Sequence, residues 1–242
     1  LLKAGQLDQS IASARKASRL SPRSNKPPLA RANAQPELPD LLILGVPKAG
    51  TTSLHAWLQT HPQLWMHPLK ELNFFDQHWQ HGECWYASQF PRYRRGSGAL
   101  RVLRGETSPN YWQNPEVPAR VQKLMPRARL IVLLRDPMER AISWIEHLRR
   151  HHGLRGDVES LLLAEAETLE SIQSNALPAP APGQPNALLG SCYDDALRRW
   201  RARFAPEQLL VVRSETLFSA PVSTLEQVAA FLGIATRWPM GE

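Results

Sequence analysis

The chain has 242 residues, 43% of them apolar and eight of them tryptophan, enough for one α/β domain with a sizeable core. Lysine and arginine outnumber aspartate and glutamate by 29 to 22, a formal charge of +7. That favours an anionic partner: a nucleic acid, a sulfated or carboxylated glycan, or a nucleotide. Two cysteines, Cys84 and Cys192, exclude a disulfide scaffold and permit at most one bridge, and no apolar run reaches the length of a membrane span.

Residues 1–39 carry seven basic side chains from Lys3 to Arg31 and little periodicity. Pro22, Pro27, Pro28, Pro36 and Pro39 oppose a packed element. The segment reads as a flexible basic stem or linker, with the folded domain over 40–242. Because the chain begins with Leu1, an anchor or targeting peptide is expected upstream.

Leu41-Leu-Ile-Leu44 suits a short buried strand of a parallel sheet. The chain then turns through Gly45 and Gly50 into Thr51, Thr52 and Ser53. Leu54, Trp57 and Leu58 follow at the spacing of one helix face. A strand, a glycine-bearing loop and a helix N-terminus make a cradle for an anion. The nucleotide-triphosphatase loop places lysine directly after its second glycine. Here Thr51 stands in that place, and the loop's lysine is Lys48.

After the helix, His61-Pro62 is a stop, Gln63–Met66 suits a strand, and Lys70-Glu71 precedes Phe74 and Phe75. Aromatic walls would raise the pKa of a carboxylate and improve it as a proton acceptor, so Glu71 is a candidate base. A surface Lys-Glu pair beside core aromatics is the plainer alternative. Ala99–Gly105 alternates imperfectly as a strand, Glu106–Trp112 is a polar turn with two aromatics, and Pro115–Met125 is a short helix on Val117, Val121 and Leu124.

Arg129–Leu134 is a central strand leading into Arg135-Asp136-Pro137. Asp136 is placed as an N-cap, Pro137 as the first helical residue, and Glu139 to complete a capping box. Arg135 then lies at the carboxyl edge of the sheet, where ligands bind in open α/β folds, and forks toward phosphate unless Asp136 or Glu139 takes it. Ser143 lies two helical turns on, within reach of the same anion. His151-His152 is a solvated helix end, 156–175 an acidic amphipathic helix, and the segment with Pro178, Pro180, Pro182 and Pro185 a flexible loop. A helix over 188–204, a strand over 208–215 and a helix over 222–232 complete the chain.

Taken together, Gly45-x-x-Lys48-x-Gly50-Thr-Thr52, Glu71-x-x-Phe-Phe75, and Arg135-Asp-Pro-x-x-Arg-x-x-Ser143 resemble sulfotransferases that use 3′-phosphoadenosine 5′-phosphosulfate (PAPS), closest to the carbohydrate and heparan types. His81–Tyr86, Tyr193, Trp200, Phe204, Glu215 and Phe231-Leu-Gly233 extend the resemblance over about 41–234. It implies an α/β three-layer sandwich with a mainly parallel sheet of four or five strands, the P-loop NTPase-like sulfotransferase fold.

The resemblance implies Lys48 and Glu71 as catalytic residues, with Lys48, Ala49, Gly50, Thr51, Thr52 and Ser53 on the 5′-phosphosulfate and Arg135 and Ser143 on the 3′-phosphate. PAPS would be the donor and 3′-phosphoadenosine 5′-phosphate (PAP) the product, with no metal. The acceptor would be a glycan or other hydroxyl-bearing molecule rather than nucleic acid. The compartment would be the Golgi lumen, with bacterial cytoplasm as the alternative. Two departures stand out. Thr107 occupies a place where heparan-type members carry lysine, and the chain ends at Glu242 before the basic loop that covers the nucleotide in the family. The rivals are a P-loop kinase, which needs a strand ending in Asp, and a non-catalytic polyanion-binding protein.

Overall fold

A computed structural model describes residues 37–91, 101–174 and 187–236. Its strands are β1 Leu41–Gly45, β2 Leu64–Met66, β3 Leu103–Thr107, β4 Arg129–Leu134 and β5 Leu209–Arg213. They form one sheet in the order β2-β3-β1-β4-β5, with every pairing parallel. Each residue of β1 is fully buried or nearly so, as a central strand covered on both faces requires. The α-helices are α1 Thr51–Leu58, α2 Gly82–Ser88, α3 Val117–Leu124, α4 Pro137–His152, α5 Val158–Gln173, α6 Asp194–Arg201, α7 Ser214–Ser219 and α8 Pro221–Leu232. They cover both faces, giving the three-layer sandwich expected.

From β1 the chain moves to one side of the sheet to build β2 and β3, then crosses to the other for β4 and β5. The strand order therefore reverses around β1, and the loops after β1, β3 and β4 meet at one carboxyl edge. The main core runs through the sheet and gathers Phe74, Phe75, Tyr86, Tyr111, Trp112 and Trp200, all essentially inaccessible. A smaller core of Ala141, Ile145 and Ala187, with Trp144, Leu161 and Leu162 against it, fastens the peripheral acidic helix α5 to α4.

Several boundaries differ from expectation. The strand placed over 99–105 lies at 103–107, where Leu103 to Thr107 pair with β1 and β2. The strand placed over 208–215 ends at Arg213. Ser214 opens α7, which turns Leu217 into the core. The helix placed over 188–204 is broken: Leu189–Ser191 is a 3-10 turn, Cys192 is extended, and α6 starts at Asp194. Cys84 and Cys192 are both free and exposed, so the bridge that two cysteines permit does not form. The stem up to residue 36, the proline-rich loop from 175 to 186 and the last residues from 237 lie outside the described residues.

Candidate active site

Gly45 ends β1 where the chain passes against the loop after β3, and a Cβ there would collide with the Pro109 carbonyl. Val46 N–H still pairs with Leu133 O at 2.8 Å, and Ala49 N–H closes a turn onto Val46 O at 3.2 Å. Gly50, at φ +92°, is the N-cap of α1 and brings no capping side chain. The N–H groups of Thr51, Thr52 and Ser53 have no carbonyl four residues back within the helix. An uncapped N-terminus of this kind is a concave set of donors for an anion. Gly50 is also where α7 leans on the loop: a Cβ there would meet the Phe218 ring at 3.0 Å, and that ring packs edge-on against Trp57.

Lys48 projects from this loop with φ +72°. Among the described residues only Lys48, Glu71 and Asn73 hold positive φ without being glycine. Such a conformation costs about 1–3 kcal/mol and persists where surrounding structure enforces it. Two of the three, Lys48 and Glu71, are residues to which the resemblance assigns chemistry; Asn73 is not. Burial lowers the Lys48 pKa, and the guanidinium groups of Arg150 and Arg135 lower it further. Cations crowded in this way are relieved when an anion arrives.

The loop after β4 is built differently. Asp136 Oδ1 accepts from Glu139 N–H at 2.9 Å, the expected cap. The capping box is not completed. Glu139 turns its carboxylate to Arg135, 3.1 Å away, and the Asp136 N–H is taken instead by Glu215 Oε1 at 2.8 Å. That bond holds the Glu215 pKa down. Tyr193 Oη donates to Arg135 O at 2.9 Å, so two residues distant in sequence fasten the turn. Arg135 donates through Nη1 to Lys48 O at 3.3 Å, joining the two loops. Its bond to Glu139 is an exposed ion pair, worth about 0–1 kcal/mol. A phosphate offering charge-assisted hydrogen bonds of roughly 1.5–3 kcal/mol would displace it. Ser143 is half-buried in the second turn of α4.

Arg140, the second arginine of the motif, is buried and structural. It donates to Ser191 Oγ at 2.7 Å and to Ala187 O at 2.5 Å, which ties α4 to the turn before α6. Its place inside a basic motif gave no sign of this.

Glu71 lies across the cradle from Arg135. Its N–H donates to Thr107 O at 2.7 Å, extending the pairing at the end of β3, and its side chain is 52% exposed. The aromatic walls expected around it are absent. Phe74 stacks on Tyr86, and Phe75 packs on Trp79, Tyr86 and Tyr111, all turned to the core. The carboxylate enclosed by rings is Glu106. Burial pushes its pKa up to about 7, against the hydrogen bonds from Tyr86 at 2.7 Å, Ser108 at 2.7 Å and Tyr111 at 2.9 Å. Thr107 is buried too, its hydroxyl 2.8 Å from His55 Nδ1, and burial drops His55 to about 4. Among the described residues no group of three His, Cys, Asp or Glu is placed to hold a metal.

These groups fit a phosphorylated nucleotide: an open helix N-terminus and a lysine on one loop, a fork-shaped cation on the next. Among the described residues no strand ends in an aspartate that could hold magnesium; β4 is followed by Arg135.

Residues 38–239 match the sulfotransferase domain family. Human bifunctional heparan sulfate N-deacetylase/N-sulfotransferase 3 is 32% identical over 216 residues, covering 85% of this chain and 23% of that protein. The human form 2 is 32% identical over 203 residues, covering 81% and 22%. The chain thus spans less than a quarter of the curated relatives it matches. A sulfotransferase from Alicyclobacillus acidocaldarius superposes with a TM-score of 0.65 at 24% identity, over 85% of this chain and 87% of that one. A mouse sulfotransferase complexed with PAP gives 0.51 at 18% identity, over 84% and 60%.

Proposed function

The chain belongs to the sulfotransferase domain family, and from that premise we propose that it moves a sulfuryl group from PAPS to an acceptor on a glycosaminoglycan-like glycan. The observation that carries the reading is the meeting of two unlike loops at one sheet edge. The uncapped α1 N-terminus with Lys48 faces the Arg135 guanidinium, joined through Lys48 O.

PAPS supplies an activated sulfuryl group. The amides of Gly50 to Ser53 and the Lys48 ammonium hold its 5′ end and neutralise the charge that grows there as the sulfur–oxygen bond opens. The Ala49 amide is partly committed to Val46 O and contributes chiefly by shaping the turn. Arg135 and Ser143 hold the 3′-phosphate, with Tyr193 and Glu215 keeping Arg135 in place. Glu71 takes the acceptor proton. Its exposed carboxylate faces solvent from which a large acceptor can approach, and Glu71 N–H on Thr107 O fixes its backbone.

The relatives' names specify N-sulfation of heparan sulfate. A hydroxyl or an amine on a related glycan therefore heads the acceptor candidates. A Golgi-lumen setting fits that acceptor, with bacterial cytoplasm as the alternative. The described residues contain no helix long and apolar enough to cross a membrane.

The test is transfer of labelled sulfuryl from PAPS over N-desulfated heparan, native heparan, chondroitin and small alcohols, beside a parallel assay with labelled ATP. PAPS-dependent labelling of a glycan is expected. Transfer from ATP alone, or from neither donor, contradicts the proposal.

A further inference from the structure

The turn from Glu71 to Phe75 is held at every second residue by the chain at and after the end of β3. Glu71 N–H donates to Thr107 O at 2.7 Å, Asn73 N–H to Ser108 Oγ at 3.1 Å, and Phe75 N–H to Tyr111 Oη at 3.3 Å. Glu71 and Asn73 hold φ of +64° and +50°. Backbone of that kind persists only where its surroundings enforce it. Here the surroundings are one carbonyl and two hydroxyls.

A carbonyl oxygen always accepts, whereas a hydroxyl is a fixed acceptor only when its own proton is committed elsewhere. Both hydroxyls send theirs to Glu106. Ser108 Oγ donates to Glu106 Oε2 at 2.7 Å, and Tyr111 Oη donates to Glu106 Oε1 at 2.9 Å. Their lone pairs are thereby left for the N–H groups of Asn73 and Phe75. Tyr86 Oη, from α2, also donates to Glu106 Oε1 at 2.7 Å, but the turn's N–H groups go to the other two hydroxyls. Burial raises the Glu106 pKa to about 7 against these hydrogen bonds, and the nearby Asp76 adds to the rise. Burial also lifts Tyr86 and Tyr111 well above the ordinary phenol value, so both phenols keep their protons. Glu106 itself is shut off from solvent.

We propose that Glu106 is a positioning residue for Glu71: by taking the protons of Ser108 and Tyr111 it makes both hydroxyls fixed acceptors for the turn, and so aims the Glu71 carboxylate. This rests on the PAPS-dependent reading above, in which Glu71 takes the acceptor proton. Glu106 touches no reacting atom and exchanges no proton with the acceptor. Its effect falls on the rate of transfer rather than on nucleotide binding, because the anion cradle and the Arg135 corner are built by the loops after β1 and β4.

The experiment compares wild type with Glu106→Gln, Ser108→Ala and Tyr86→Phe in PAPS-dependent turnover, calorimetric PAP binding and urea denaturation. It is run at pH 8, above the Glu106 pKa of about 7. A glutamine amide nitrogen donates to a hydroxyl instead of accepting from it, and so competes with the turn's N–H. Glu106→Gln should lower turnover by about 10–10²-fold, the cost of a misplaced group, with PAP affinity within about threefold of wild type. Ser108→Ala should lower turnover by about 3–10-fold, and adding it to Glu106→Gln should cost little more, because both act through one bond. Tyr86→Phe removes an equally short hydrogen bond to Glu106 without touching the turn, so the urea midpoint should fall while turnover stays within about threefold of wild type. In a Glu71→Gln background, Glu106→Gln should change turnover by less than about threefold, since no base is left to aim.

Wild-type turnover in Glu106→Gln or in Ser108→Ala overturns the proposal. So does a Tyr86→Phe loss of turnover as large as that of Glu106→Gln, the mark of a network that only holds the fold together. A Glu106→Gln loss undiminished in the Glu71→Gln background overturns it too. If Glu106→Gln does not fold, Ser108→Ala, alone and with Glu71→Gln, carries the same contrast against Tyr86→Phe. Wild-type protein that transfers no sulfuryl group from PAPS removes the donor reading, and the proposal with it.

Discussion

Two strand-turn-helix corners meet at the carboxyl edge of this sheet, and they treat their helix N-termini in opposite ways. After β4 the terminus is closed: Asp136 caps Glu139 N–H, Pro137 removes a donor, and Glu215 takes the Asp136 N–H. After β1 it is open: Gly50 supplies no cap, and the first-turn amides of α1 are left for a ligand. A closed end adds stability and can present only a side chain, here Arg135. An open end forgoes that stability and presents backbone donors fixed in direction. The same local topology thus yields a positioning corner and a chemistry corner, and the strained φ of Lys48 falls in the second.

The largest effects should come from the open corner and the carboxylate facing it. Glu71→Gln keeps the shape of the site without a proton acceptor, so turnover should fall by about 10²–10⁴-fold with PAP affinity nearly unchanged. Lys48→Ala should lower both, because Lys48 contacts the 5′ group in the ground state and as charge develops. Steady-state rates beside calorimetry separate the two patterns. If Glu71→Gln turns over like wild type, the base lies elsewhere and the proposed division of roles fails.

A smaller effect belongs to the closed corner. Asp136→Ala should reduce stability by about 1 kcal/mol in urea denaturation, the usual worth of a lost cap. An unchanged midpoint would mean that Glu215 and Pro137 alone hold the turn.

The end of β3 is a third case, with its carboxylate shut inside the protein. The Glu106 pKa of about 7 stands above its ordinary 4.5, so the folded chain keeps a proton that the unfolded chain releases. Stability from this group therefore falls as pH rises from 4.5 through 7. His55, at about 4 against 6.5, acts in the opposite sense: its contribution rises as pH rises from 4 to 6.5. The two offset each other between 4.5 and 6.5. Glu106→Gln should expose the His55 rise, so its stability relative to wild type should grow between pH 4.5 and 7. Denaturation midpoints at pH 5 and 7.5 measure this, and parallel profiles would contradict the buried, protonated Glu106.

What was legible in the sequence follows from how local each signal is. β1 and β4 are unbroken apolar runs bounded by glycine or by Arg-Asp-Pro, and their loops appear where the residues put them. Asp136 as a cap needed only its own helix. Contacts set by tertiary packing were not legible. Phe74 and Phe75 follow Glu71 closely, yet the turn at Glu71 and Asn73 sends the rings inward and the carboxylate outward. Lys70 looked like half of a surface pair because its partner Thr52 lies 18 residues away on another element. The strand read over 208–215 would end in Glu215, but Glu215 lies in the first turn of α7 and serves the corner after β4, 79 residues earlier. No periodicity signals such a contact.

The most direct test of the two-corner account is calorimetry of PAP against adenosine 5′-phosphate, on wild type and on Arg135→Ala. The account predicts that wild type prefers PAP by on the order of 10–100-fold, one charge-assisted phosphate contact, and that Arg135→Ala loses most of this preference while still binding adenosine 5′-phosphate through the open α1 terminus. Equal wild-type affinity for the two nucleotides, or a preference that survives in Arg135→Ala, would contradict it.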